Sequence, residues 1–114
     1  LNLHKKVLQI PVLKKLGFNV SIGTDGTTSA SNLNLLEDIR LFNSRNTLNI
    51  EELTKMVTIN PAKALGLEKQ VGSLEVGKKA NFAVFDNINT PEDWIQAKRA
   101  TDVYINGLSV LSNL

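Results

Sequence analysis

Asp25 is the residue whose type and setting are best suited to chemistry. It follows the run VSIGT in VSIGTDG, residues 20–26, and Gly26 comes directly after it. The five residues before it read as a buried strand. Alternation then puts Asn19, Ser21, Gly23 and Asp25 on one face, and Val20, Ile22 and Thr24 on the other. The first face is small and polar and finishes in a carboxylate at the strand's C-terminal end. Helix-wrapped parallel barrels carry their catalytic groups at that end. Gly26 has no Cβ to obstruct an approaching ligand and lets the chain swing away. From this stretch alone the plainer account is favoured, because Asp-Gly is a common turn pair and Asp25 is suited to capping TDGT.

Other candidates are weaker. His4 is the single histidine, and a lone histidine near a chain end is usually solvated and idle. Ser29 and Ser31 have no second histidine to activate them as nucleophiles. The run GSLEVGKK, residues 72–79, has two glycines and two lysines but not the spacing of a phosphate-binding loop, so it reads as turns. Glu37, Asp38 and Arg40 read as a solvated helix face with local ion pairs, and Trp94 as a packing anchor.

Composition bounds the class. The chain has 114 residues, 42% hydrophobic and 21% charged, with a net charge of +2. That is the balance of a soluble globular protein the size of one domain. Its lysines are scattered and its aromatics few, which argues against a nucleic-acid partner. No run approaches ~18 apolar residues and LNLHKKVLQI lacks a long apolar core, so neither a membrane span nor a signal peptide is expected. The absence of cysteine excludes disulfides and thiolate metal sites and fits a cytoplasmic protein.

The elements that must position Asp25 follow from periodicity. Residues 5–16 have helical spacing, with Gly17 as the stop and Pro11 marking either a kink or the true start. A strand is expected at 19–24 and a polar loop at 25–32. A helix over 33–45 should turn Leu33, Leu36, Leu41 and Phe42 inward. Asn49 and Glu52 have the spacing of a capping box. In NPAKALGL, Asn60 reads as a cap, Pro61 as the first helical residue and Gly66 as the stop. Beyond residue 67 the texture changes to short strands and turns. NFAVFD reads as a strand, TPEDWIQAKRA as a short helix, and Asn106-Gly107 as the type I′ turn of a hairpin.

Three stretches in order decide more than any one of them: NVSIGTDGTTSASNLNLLEDIRLF, then TINPAKALGLEKQVGSLEVGKKANFAVFD, then DVYINGLSVL. Together they resemble the C-terminal third of the amidohydrolase superfamily, nearest its cytosine-deaminase-like and chlorohydrolase-like branch, which includes aminofutalosine deaminases. The resemblance implies an α/β chain: residues 1–67 as the last strand and helices of a (β/α)8 metal-dependent hydrolase barrel, and residues 68–114 as closing strands of a small β-sandwich. It implies a parent enzyme that hydrolyses a C–N bond of a purine- or pyrimidine-like small molecule, with Asp25 both catalytic and a metal ligand. The metal, zinc or iron, lowers the pKa of water toward ~7. The aspartate takes that water's proton and later helps deliver it to the departing ammonia.

The histidines that complete such a site in the family have no counterpart here. The expectation is therefore a C-terminal fragment that alone holds no catalytic metal, is inactive and self-associates through unpaired strand edges. Two rivals belong to other classes: a non-catalytic α+β assembly module, and one subunit of a split hydrolase that supplies Asp25 in trans.

Overall fold

A computed structural model describes residues 9–24, 34–46 and 48–111. Four α-helices come first: α1 (Ile10–Lys15), α2 (Leu35–Arg45), α3 (Ile50–Lys55) and α4 (Ile59–Ala64). Then follow β1 (Phe82–Val84), a 3-10 helix (Pro91–Gln96), β2 (Asp102–Ile105) and β3 (Leu108–Ser109). The three strands form one antiparallel sheet in the order β1-β2-β3.

Local chemistry explains most boundaries. Pro11 lies in the first turn of α1, where its missing N–H is no loss, and Gly17 follows the helix at φ 83°. Asn34 caps α2, its side chain accepting from the Leu36 N–H at 3.0 Å. Asn49 does the same for α3, accepting from the Glu52 N–H at 2.8 Å. α4 departs from expectation. It begins at Ile59 with Thr58 at the cap position, so Asn60 lies inside the helix and its side chain is free for other work. Gly66 stands just past the end at φ 72°.

The inward stripe of α2 also differs. Ile39 is fully buried and Leu35, Leu36 and Phe42 pack around it, whereas Leu41 is 52% exposed. At about 100° per residue, Leu41 lies roughly 200° round the helix from Ile39. Leu33 lies outside the described residues.

Ile39 of α2, Leu53 of α3 and Ile95 of the 3-10 helix form the core cluster, with Ile22, Val57 and Trp94 packed on it. Trp94 is the expected packing anchor, and the Phe85 ring stands 6.0 Å from it. Arg40 does not stay on its own helix face. Its Nη1 donates to the Ile95 carbonyl at 2.7 Å and the Ala97 carbonyl at 3.0 Å, fastening α2 to the C-terminal segment.

TPEDWIQ is a 3-10 helix, and its first turn is closed by Asp93. The carboxylate accepts from the Thr90 and Asn89 N–H groups, both at 3.0 Å. Those bonds, that from Thr90 foremost, hold the Asp93 pKa below the ordinary carboxylate value. GSLEVGKK forms turns, with Glu75 and Lys78 paired at 2.9 Å.

The hairpin is as expected. Asn106 and Gly107 have φ 53° and 77°, Ile105 pairs with Leu108, and Phe82 stacks on Tyr104 across β1 and β2 at 4.7 Å. A Cβ on Gly107 would meet nothing closer than Ala80 at 3.8 Å. Gly107→Val therefore tests chiefly backbone strain, and it is expected to lower stability by about 1–2 kcal/mol. Thermal melts of the two proteins check this, and coincident midpoints would refute it.

Candidate functional site

Asp25, with residues 26–33, lies outside the described residues, as does His4. The structure describes the segment that leads into Asp25. Residues 19–24 do not form the expected strand: no ladder partner is present among the described residues, whose three strands pair with one another. A strand is defined by its neighbour, and a sequence pattern fixes only which side chains face inward. That part of the expectation holds. Val20, Ile22 and Thr24 are half-buried, while Asn19, Ser21 and Gly23 are exposed.

Hydrogen bonds to α3 and α4 hold the segment where a ladder would otherwise do so. The Ile22 N–H donates to the Met56 carbonyl, at the C-terminal end of α3, at 3.0 Å. Asn60 Nδ2 donates to the Val20 carbonyl at 2.9 Å. Asn19 Nδ2 donates to the Asn60 carbonyl at 2.8 Å. Below them the Ile22 side chain packs on the Ile39–Leu53–Ile95 core. The junction of α3 and α4 is thus the bed on which the approach to Asp25 lies. Asn60 is the residue that sequence reasoning missed. Its signal was present in Asn-Pro, but that pair reads first as a helix cap.

A groove of about 380 Å³ opens beside this bed, lined in part by Phe18, Asn19, Met56 and Asn60. Its rim charges are neutralised in pairs: Lys14 with Glu52, and Lys55 with Glu51 at 3.2 Å. It has the character of a solvated surface furrow. No group of three or more His, Asp or Glu side chains able to hold a metal converges among the described residues. They do not by themselves make a metal centre. No helix among them is long and apolar enough to cross a membrane.

Comparison with known proteins places this arrangement. The sequence profile of the amidohydrolase family matches residues 1–110, and the chain belongs to that family. It is 39% identical to a 5-methylthioadenosine/S-adenosylhomocysteine deaminase of Thermoanaerobacter pseudethanolicus, over 90% of this chain and 28% of the relative. A protein of the same name from Thermodesulfovibrio yellowstonii is 33% identical over 99% of this chain and 30% of its own length. The chain thus spans less than a third of these relatives.

Among solved structures, a Xanthomonas campestris adenosine deaminase with bound zinc superposes with TM-score 0.73 at 28% identity, over 85% of this chain and 26% of that one. The aminofutalosine deaminase of Helicobacter pylori gives 0.72 at 29% identity, over 92% and 29%.

Proposed function

We propose that this chain serves as the C-terminal portion of a metal-dependent deaminase that hydrolyses the exocyclic C–N bond of an adenosine-like small molecule. One observation carries the reading: relatives matched over nine-tenths or more of the chain are deaminases of 5-methylthioadenosine and S-adenosylhomocysteine. In this reading residues 19–24 occupy the position of the last barrel strand, and residues beyond 67 close a small β-sandwich.

Asp25 is then the acid–base group and one ligand of a divalent metal. The chain has one histidine and no cysteine, so the other ligands come from outside these 114 residues. A divalent metal, when bound, supplies the Lewis acidity that makes water a ready nucleophile near neutral pH. The Asp25 carboxylate accepts the proton that this water sheds as it adds to the ring carbon. It returns that proton to the amino nitrogen, which leaves as ammonia; the adjacent ring nitrogen takes up the second proton of the water, so that the ring carbon becomes a carbonyl. The half-buried Val20, Ile22 and Thr24 tie the segment to the protein, and the exposed Ser21 and Gly23 keep its other face small.

The test is ammonia release by the full-length protein, supplied with zinc or ferrous iron, from adenosine, 5-methylthioadenosine and S-adenosylhomocysteine. Stoichiometric ammonia with the matching loss of the amino-purine absorbance is expected. Absence of ammonia from all three would refute the reading.

A further inference from the structure

We infer that Asn106 is a latent site of self-modification, deamidation through attack by the Gly107 nitrogen, and that Asn81 gates it. Asn106-Gly107 is the one Asn-Gly pair in the sequence, and both residues are exposed at the tip of the β2–β3 hairpin. Glycine puts no Cβ beside its own nitrogen, so that atom can approach the Asn106 side-chain amide unhindered. Asn87 stands in the same left-handed region, at φ 59° against 53° for Asn106, but the branched Ile88 follows it. The reaction needs no cofactor. The Gly107 nitrogen gives up its proton to solvent base and bonds to Asn106 Cγ. The Cγ–Nδ2 bond breaks, and the amide nitrogen leaves as ammonia with a proton taken from water. Water then opens the cyclic imide at either carbonyl, giving aspartate or isoaspartate.

Both backbone amides of the pair are engaged by the segment just before β1. The Gly107 N–H donates to the Ala80 carbonyl at 2.9 Å, which opposes loss of the proton that attack requires. The Asn106 N–H donates to Asn81 Oδ1 at 2.8 Å. The pairing of Phe82 with Tyr104 brings residues 80 and 81 alongside the tip. Lys79, just before them, is tied by its N–H to the Gln70 carbonyl at 2.8 Å. The turn is thus closed from outside itself, with Asn81 supplying a side chain to the closure. Attack must await local opening, and its rate follows the fraction of time the turn spends open. Isoaspartate adds a backbone carbon at residue 106 and so displaces the Ile105–Leu108 and Tyr104–Ser109 pairs of the hairpin.

The full-length protein, folded or in urea, is incubated at mildly alkaline pH. Peptide mapping and an isoaspartate-specific methyl-transfer assay then follow residue 106. Unfolded protein should lose Asn106 at least about tenfold faster than folded protein. Folded Asn81→Ala should lose it about threefold to tenfold faster than the parent, the range expected when one hydrogen bond leaves the closed state. Asn81→Asp keeps an acceptor for the Asn106 N–H and should stay within about twofold of the parent. Asn43, followed by Ser44 in α2, reports general loosening, and its loss should not change in Asn81→Ala. If Asn81→Ala does not fold, Asn81→Gln, which shifts the acceptor by one methylene, is read by the same criterion. Survival of Asn106 in urea overturns the site. The gate is overturned by equal rates with and without urea, or by Asn43 and Asn106 accelerating in step. A folded Asn81→Ala within about twofold of the parent overturns it as well.

Discussion

Replacing Asp25 by Asn in the full-length protein is expected to leave folding close to that of the parent and to lower turnover by about 10²–10⁴-fold. The amide has the size and shape of the carboxylate and still offers an oxygen to a cation. What it lacks is the capacity to accept a proton at neutral pH, which is the step assigned to Asp25. The packing that leads to it is untouched, since Ile22 stays on the core and the bonds to Met56 and Asn60 involve other residues. Ammonia release at saturating substrate, beside a thermal melt, makes the comparison. Turnover within about threefold of the parent would return Asp25 to the role of a turn cap.

Gly72→Ala should destabilise the fold by about 3 kcal/mol, combining two penalties. Gly72 sits at φ 97°, where an L side chain is strained. A Cβ there would also lie 2.8 Å from the Ala62 Cβ and 3.1 Å from the Ile59 Cα. Neither atom can rotate aside: one is the whole side chain of a buried helical alanine, the other is backbone. The loop would have to lift off α4. Gly77 provides the control, with φ 93° but nothing within 4 Å. Gly77→Ala should therefore show the strain alone. Urea midpoints for the two variants measure the difference, and equal losses would mean that the loop does not bear on α4.

Features governed by near neighbours were legible in the amino-acid order. Asn49 caps α3 because a short side-chain acceptor three residues before Glu52 reaches its amide. Gly66 and the Asn106-Gly107 pair stand at positive φ, as their small size and local chemistry suggest. The burial alternation of residues 19–24 was legible for the same reason, since it needs only a period of two. Features set by distant partners were hidden. Arg40 looked like a member of a solvated face and instead crosses to carbonyls 55 and 57 residues away. Asn60 looked like a cap until α4 was seen to begin a residue earlier. The ladder expected for 19–24 needed a neighbour that periodicity cannot supply. The family was legible because three motifs in order are specific where each alone is not, while the site itself rests on Asp25, outside the described residues.

The bonds that seat residues 19–24 have a kinetic consequence. Asn60 reaches Val20 across 40 residues, and Arg40 reaches Ile95 across 55. Helical turns and the Asn-Gly hairpin close over a few residues and form in microseconds. Closing loops of that larger size must await the meeting of α2 and α3, because chain entropy is lost before the contact rewards it. The approach to Asp25 is therefore expected to assemble late, after the scaffold that receives it. Weakening its anchors should chiefly hasten unfolding and leave the rate of folding nearly as it was.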